Sequence, residues 1–320
     1  MSNEPAALPT LMCPRCRRPP HGWPIIHDGL RCSNVDCEHD FATLEATNIP
    51  IVLSGSNAPF LDLDAAVDFR DFAAVSAWLE GLDRGSAQWE LALRTGMYAA
   101  SHYGSADPLA ARVFERFVTV LPTPPRTVLE LGCGVGGFSN LMASSSSCNV
   151  VGLDGSGLAL RFAASAAIGG PIAIPELSDG VRLVARRADL RPSESARRAR
   201  WVCADAHDPP LVPASFDLVV ALNLFDSTPE PTIALGQAAA LVAPGGHLLM
   251  AQPDAWNTHA TPAAQWLPST DVTWDGLLAA YGLQTVDRED GFVWRLQRTP
   301  RYRFEYVSHA RLARRADPPA

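Results

Sequence analysis

Two groups of residues in this 320-residue chain have the types and spacing for chemistry. The first is Val128-Leu129-Glu130-Leu131-Gly132-Cys133-Gly134-Val135-Gly136-Gly137, an apolar run that ends in an acid and a glycine-rich turn. Glycine lets a backbone approach a ligand closely, and the helix that follows offers unpaired N–H groups, so this pattern delivers a nucleotide-like cofactor to a helix N-terminus. Cys148 to Asp154 (CNVVGLD) then reads as a second strand, with Gly155 and Ser156 after its terminal acid. Asp154 falls about 20 residues past the loop, where a carboxylate accepts both hydroxyls of a ribose. Trp201 to Asp205 (WVCAD) is a third strand closed by an acid, followed by Ala206. An NAD-binding fold also places glycines after its first strand and remains an alternative at this point.

The second group is Cys13-x2-Cys16-x15-Cys32-x4-Cys37, four of the seven cysteines. A Cys-x-x-Cys turn lets two thiolates meet one tetrahedral ion, and a second pair on a facing hairpin closes the site, which is a zinc-ribbon spacing. Four ligands leave no open position, so the zinc is expected to be structural. The looser second pair admits His39 in place of Cys37. A disulfide or free thiols are the alternative, disfavoured in a chain without an export signal. A segment of ~50 residues buries too little apolar surface to fold unaided, which is a further reason to expect a metal.

The elements that must position these groups can be read in order. Ser54 to Pro59 is a linker. Asp64 to Leu82 is predicted helical, with Phe72, Val75, Trp78, Leu79 and Leu82 at helix spacing, and a second helix runs from Ser86 toward Ser101. Asp107 caps a third helix with Pro108 at its first position, and Leu109, Val113, Phe117 and Val120 form its apolar face. A helix from Leu158 to Ala166 precedes a long insertion, Ile168 to Arg200, which is either a substrate cover or a surface excursion. Phe216 to Leu222 is the fourth strand. Leu241 to Gly246 is a helix end and a tight turn leading into a fifth strand, His247 to Ala251. The resulting division is a ribbon at 1–56, a helical connector at 57–95 and a cofactor domain at 96–320.

Composition bounds the rest. With 47% hydrophobic and 19% charged residues the chain can bury a sizeable core. All 26 basic residues are Arg, so arginine clusters carry little information on their own, and those at Arg186, Arg187, Arg191, Arg197, Arg198, Arg200, Arg311, Arg314 and Arg315 read as solvated faces. A formal net charge of −8 argues against a surface that grips polyanions broadly. The start at Met1 to Met12 lacks a basic region with an apolar core, and no apolar run approaches ~20 residues. The expectation is therefore a cytoplasmic protein without membrane spans.

The acid at the end of strand one, the acidic ends of strands two and three and the Pro244-Gly245-Gly246 turn together resemble the class I S-adenosylmethionine-dependent methyltransferases. That resemblance implies an α/β Rossmann-like fold, a seven-stranded sheet with helices on both faces, closing on strands at Leu283 to Val286 and Tyr302 to Ala313. It implies that Glu130 and the Gly132, Cys133, Gly134 and Gly136 loop hold the methionine part of S-adenosylmethionine. Asp154, Gly155 and Ser156 would hold the ribose, Asp205 and Ala206 the adenine, and Asn223 and Leu224 would face the sulfonium. The ribbon with Phe41-Ala42-Thr43 and the apolar stretch Asn48-Ile49-Pro50-Ile51-Val52-Leu53 after it resembles the small zinc-ribbon proteins that activate tRNA and rRNA methyltransferases.

Peripheral motifs resemble the 4-mercaptohistidine N-methyltransferase domain of ovothiol biosynthesis over residues 94–315. They are Met97 to Gly104, Ala221 to Asp226, Gln252 to Trp256, Trp274 to Leu277, and the tail from Phe292 to Ser308. This implies N-methylation of an imidazole nitrogen in a small molecule or peptide. A neutral imidazole carries one lone pair and one N–H, so a carboxylate on the N–H selects the tautomer; Asp226 and Asp254 are the candidates. For Asp226, capping of the next helix is the competing role. His102 and Tyr103 are expected near the cofactor as further catalytic candidates. His207 and His247 read as structural, and Cys133 and Cys203 as packed thiols. An rRNA or tRNA base methyltransferase is the second reading, with nucleic acid ranked behind a small substrate, and a non-catalytic cofactor-binding scaffold is the third.

Overall fold

The computed structural model describes residues 10–14, 16, 25–26, 30–34, 36–37, 39–45, 47–53, 67–191 and 198–317. The expected linker at 54–59, the start of the expected helix at 64–66, the ribbon–connector boundary and Arg197 lie outside them. In chain order the strands are β1 (Ile25–Ile26), β2 (Arg31–Cys32), β3 (Ile51–Val52), β4 (Thr127–Leu131), β5 (Asn149–Asp154), β6 (Gly170–Leu177), β7 (Leu183–Leu190), β8 (Ala199–Ala204), β9 (Phe216–Leu222), β10 (Val242–Gln252), β11 (Leu283–Thr299) and β12 (Tyr302–Arg315). The helices are α1 (Phe72–Glu80), α2 (Ala87–Tyr103), α3 (Leu109–Val113), α4 (Gly137–Ser145), α5 (Gly157–Ile168), α6 (Pro231–Leu241) and α7 (Asp271–Ala280).

The large sheet runs β11-β12-β10-β9-β4-β5-β8-β3. From β3 to β10 every pairing is parallel, and β12 is antiparallel to both its neighbours. Residues of β4 are buried on both faces, as a central parallel strand requires. Two apolar clusters fill the two sides, one including Phe138, Phe162 and Leu249, the other Leu131, Phe225 and Trp274.

The expected seven strands become eight. The addition is β3, which pairs in parallel with Cys203 and Ala204 of β8. An edge strand presents a row of unpaired N–H and C=O groups, and the apolar stretch after the ribbon covers them: Cys203 N donates to Pro50 O at 2.9 Å. Leu11 bridges to Leu211 across the same edge. Leu11, Cys13, Cys32, Phe41 and Val52 share a core with Leu153 and Val202, so the ribbon is packed onto the sheet.

Helix boundaries shift for local reasons. Asp71 caps α1 by accepting from Ala74 N, which leaves Phe72 on the surface and Val75 and Leu79 inside. Ser86 caps α2 through Trp89 N at 3.1 Å. Pro108, not Asp107, holds the cap position of α3, and α3 loosens into a π-turn over Phe114–Val118, so Val120 falls past its end and is exposed. Within the insertion, β6 and β7 form a hairpin in unbroken register. Its apolar face (Ile172, Ile174, Leu177, Leu183) joins the core, and Ala173 N donates to Phe69 O at 2.7 Å.

Candidate active site

The glycine loop joins β4 to α4, and each of its glycines answers a different demand. Gly136 has φ +74°, and a Cβ there would lie 2.5 Å from the Trp201 ring and 2.8 Å from Ala163 Cβ. A Cβ on Gly137 would strike the His102 ring at 2.3 Å, and one on Gly132 the Leu224 side chain at 2.7 Å. Gly134 differs: at φ +50° it has nothing within 4 Å of its Cβ position. The loop is thus packed against Trp201, His102 and Leu224 and open at Gly134.

Of the acids expected around a cofactor, Asp154 meets this loop, Glu130 meets the helix that follows it and Asp205 meets its neighbour His207. Asp154 Oδ2 accepts from Gly134 N at 2.8 Å and its Oδ1 accepts from Ser156 N at 2.7 Å. Burial pushes its carboxyl up, partly offset by these two N–H groups and by the positive charge of Arg94. Glu130 Oε2 accepts from Ser139 N at 2.8 Å and Ser139 Oγ at 2.6 Å, which satisfies an unpaired donor in the first turn of α4. Burial pushes the Glu130 carboxyl up to about 8 against those bonds. Asp205 Oδ1 accepts from both His207 N at 2.8 Å and His207 Nδ1 at 2.7 Å. Burial opposes its ionisation, but the His207 bonds outweigh burial and hold this carboxyl below its ordinary range. His207, expected as a loop residue, is the partner of the acid before it.

Tyr103 and His102 end α2 beneath the loop. Tyr103 Oη donates to Val135 O at 2.9 Å and accepts from Asn140 Nδ2 at 2.7 Å, so it ties α2 to the loop and to α4. His102 Nδ1 is buried without a partner among the described residues, and burial pushes this imidazole down to about 4. The ring is neutral at physiological pH.

At the next strand ends, Asn223 and Asp254 both adopt positive φ, +53° and +51°, a conformation that costs energy outside glycine and collects at functional sites. Asn223 N donates to Ala251 O at 2.6 Å, and Asn223 Oδ1 accepts from Ser308 Oγ at 3.3 Å. Asp226 is 3% exposed, and its Oδ2 accepts from Ala255 N at 2.8 Å. The helix-capping role for Asp226 is overturned: α6 starts after Glu230 with Pro231 in its first turn and no side-chain cap, and Asp226 instead ties the β9 end to the β10 end. Burial raises its carboxyl, and the negative charge of Asp254 adds to this. Asp254 accepts from Gln252 Nε2 at 2.5 Å, His309 Nε2 at 2.9 Å and Ser269 Oγ. Burial opposes its ionisation, yet His309 and Ser269 outweigh it and keep Asp254 low.

The four ribbon sulfurs of Cys13, Cys16, Cys32 and Cys37 lie within 4.8 Å of one another, with Cys13–Cys37 at 4.0 Å and Cys16–Cys32 at 3.7 Å. Tetrahedral zinc with Zn–S of about 2.3 Å requires sulfurs about 3.8 Å apart, so the donor set fits that ion. Asn34 donates to Cys32 Sγ through its backbone and to Cys16 Sγ through Nδ2, both at 3.4 Å. His39 does not replace Cys37: its ring packs edge-on against Phe41 at 4.7 Å.

Residues 103–299, more than half of the chain, match the family model of a methyltransferase domain. The chain belongs to this methyltransferase family. It is an S-adenosylmethionine-dependent enzyme, and the open face at Gly134 beside Asp154 leaves room for that donor. Among solved structures it is similar to a chain of the complex between the Haloferax volcanii Trm112 methyltransferase activator and a candidate methyltransferase, with 14% identity, 74% of this chain and 100% of that chain covered, and TM-score 0.48. It is also similar to the CcbJ methyltransferase of Streptomyces caelestis, with 18% identity, 66% and 97% covered, and TM-score 0.45. A third is the Burkholderia thailandensis 1,6-didemethyltoxoflavin-N1-methyltransferase, with 17% identity, 74% and 94% covered, and TM-score 0.42. No curated protein matches the chain.

The methyltransferase also holds residues that the sequence did not single out. His309 pairs with Asp254, and its Nδ1 meets the Arg311 guanidinium, which continues to Asp271. Arg311 is 3% exposed, which corrects its reading as a solvated charge. Arg186 and Arg187 do pair with Glu176 and Asp189 on the surface. The signal for His309 in the sequence is no more than the polar pair Ser308-His309 in the middle of a strand. No helix among the described residues is long and apolar enough to cross a membrane.

Proposed function

We propose that this methyltransferase transfers the methyl group of S-adenosylmethionine to an imidazole-type nitrogen of a small molecule or peptide, and that its ribbon carries one structural zinc on Cys13, Cys16, Cys32 and Cys37. The observation that carries the acceptor reading is the pair of carboxylates, Asp226 and Asp254, at the carboxyl ends of the adjacent strands β9 and β10, joined through the Asp226–Ala255 bond. S-adenosylmethionine, when bound, supplies a methyl carbon made electrophilic by sulfonium. Glu130, Gly134, Asp154 and Asp205 would hold that donor, and Asn223 and Leu224 at the β9 end would lie toward the methyl group it supplies.

Asp226 accepts the N–H of a neutral imidazole, which leaves the lone pair of the other nitrogen for in-line attack. As the N–C bond forms and the C–S bond breaks, positive charge grows on the ring. The raised Asp226 carboxyl is then placed to take the N–H proton. Asp254, already satisfied by Gln252, Ser269 and His309, fixes the loop that carries Ala255 and adds negative charge at the mouth. The test is transfer of labelled methyl to histidine derivatives, histidine-containing peptides and ribosomal RNA, with the product position read by NMR. Imidazole methylation that falls in Asp226→Asn with cofactor affinity intact supports the reading; labelling of RNA alone overturns it.

A further inference from the structure

The ribbon bonds to both ends of the segment that carries Asp205. On one side Ile51 and Val52 pair in parallel with Cys203 and Ala204, and Cys203 N donates to Pro50 O at 2.9 Å. On the other side Met12 N donates to Pro210 O at 2.9 Å, and Leu11 bridges to Leu211. Between these two attachments lies the run from Asp205 to Pro209. Within it Asp208 N donates to Asp205 O at 3.1 Å, and Asp205 Oδ1 accepts from His207 N and Nδ1, so the turn shapes itself while its ends fix where it sits.

Register places this segment beside the donor loop. Cys203 lies opposite Asp154 across β8 and β5, and Asp154 Oδ2 accepts from Gly134 N at 2.8 Å. Neighbouring strands stand about 4.8 Å apart, so Asp205, two residues past that pair, leaves the sheet next to the acid that meets the loop. In the other direction each attachment leads to the cysteine cluster. Met12 immediately precedes Cys13. Pro50 and Ile51 are bound into the ribbon by the Thr43–Pro50 bridge and by Ile51 N donating to Ala42 O at 2.8 Å, and the chain just before Ala42 is tied to the second cysteine pair by Cys32 N donating to His39 O at 2.9 Å. A ribbon of this size has little core of its own, so the order of its backbone depends on its metal.

We propose that the ribbon is a positioning element of the donor site: its zinc-ordered backbone fixes the Asp205–Pro209 segment from both ends, so that metal occupancy and donor affinity are coupled. The proposal rests on the cysteine cluster holding zinc and on Asp205 meeting the adenine of S-adenosylmethionine. The residues that act are Leu11, Met12, Pro50 and Ile51, which reach the donor through the segment they hold. Coupling between two binding sites is reciprocal, so zinc tightens the donor and the donor tightens zinc by the same factor.

The test is calorimetric titration of S-adenosylhomocysteine into the full chain, first loaded with zinc and then after a chelator has withdrawn the metal under reducing conditions. Metal-free protein should bind about tenfold more weakly, within the range that coupling between two sites spans. The reciprocal readout is zinc affinity, measured by competition with a chromophoric chelator, which should rise about tenfold when S-adenosylhomocysteine is saturating. Asp205→Ala should weaken S-adenosylhomocysteine in the zinc-loaded chain and add little in the metal-free chain, because metal and acid act through one segment. Leu11→Ala keeps all four cysteines and decides the matter where the metal-free chain fails to fold: it should retain one zinc and still lose S-adenosylhomocysteine affinity severalfold. Equal affinity with and without zinc, zinc affinity indifferent to the ligand, or full affinity in Leu11→Ala overturns the proposal and leaves the zinc reading standing. Additive losses from metal withdrawal and Asp205→Ala overturn it as well, since they place the coupling outside this segment. Protein purified without zinc removes the metal reading and the proposal together, and Asp205→Ala without effect in the zinc-loaded chain removes the adenine reading and the proposal together.

Discussion

Asp254 and His309 face each other across β10 and β12, with Oδ2 and Nε2 2.9 Å apart. The second ring nitrogen of His309 is taken by Arg311, and an arginine can only donate. Nδ1 must then accept, Nε2 must carry the proton, and the ring donates to Asp254 in a fixed tautomer. Both ring nitrogens are thus engaged, Nε2 by Asp254 and Nδ1 by Arg311. It transmits the position of β12 to Asp254, and Trp274 flanks it at 6.0 Å.

Asp254→Asn and His309→Phe are expected to resemble each other. Each leaves a buried partner unsatisfied, at a cost of about 1–3 kcal/mol in stability. Each should also lower methyl transfer more than cofactor affinity, because the chain ends on which Ala255 and Asp226 depend lose their anchor. The decisive measurement is the double variant: coupling through one network predicts that it loses little beyond either single change, whereas additive losses would show two independent roles.

The glycines of the loop should separate by substitution. Gly136→Ala drives a methyl group into Trp201 and Ala163 and should lower the melting temperature markedly. Gly134→Ala meets no atom, so beyond the roughly 1–2 kcal/mol for left-handed backbone its effect should fall on S-adenosylmethionine affinity. Thermal melting and calorimetry on both variants check this. Equal cofactor affinity in Gly134→Ala and wild type would remove the open face of the loop from the donor site.

Much of this arrangement is legible in the sequence because its causes are local. The apolar strands, the acids at their ends and the turn at Pro244-Gly245-Gly246 depend on neighbours within a few residues, and so do the cysteine pairs. What is not legible depends on pairing between distant segments. The eighth strand exists because Ile51 and Val52 find the open edge of β8, and His309 acquires its role from being opposite Gln252. Glu130 shows the same limit: the sequence places it beside the loop, but only packing reveals that Ser139 of the next helix takes one of its oxygens.

The ribbon supports a metal prediction. Protein purified without chelator should contain one zinc per chain, measured by elemental analysis, and a chain without metal would sink the ribbon assignment. Cys16→Ser should release the metal and destabilise more than the ribbon itself, since β3 covers the β8 edge and Leu11 and Cys13 share the core beneath. Faster hydrogen exchange along Ala199–Ala204 in that variant is the expected signature of the lost edge.

Glu130 provides the last prediction, a dependence on pH. Its carboxyl titrates near 4.5 when unperturbed and at about 8 in the folded chain because it is buried, so the folded state keeps a proton that the unfolded chain loses. Its contribution to stability is full below about 4.5 and drains away as pH rises toward 8. Glu130→Gln keeps an oxygen for Ser139 and removes the ionisable proton, so melting temperatures measured from about pH 5 to 9 should fall less steeply than in wild type, and the variant should be the more stable form at the alkaline end. Binding adds a second readout. If the carboxylate also holds the cationic amino group of the methionine moiety, the donor favours the ionised form, so its affinity should rise with pH up to about 8 and its binding should release a proton. Calorimetry in buffers of different ionisation enthalpy counts that proton. Release that persists unchanged in Glu130→Gln would assign it to another group and confine Glu130 to capping α4.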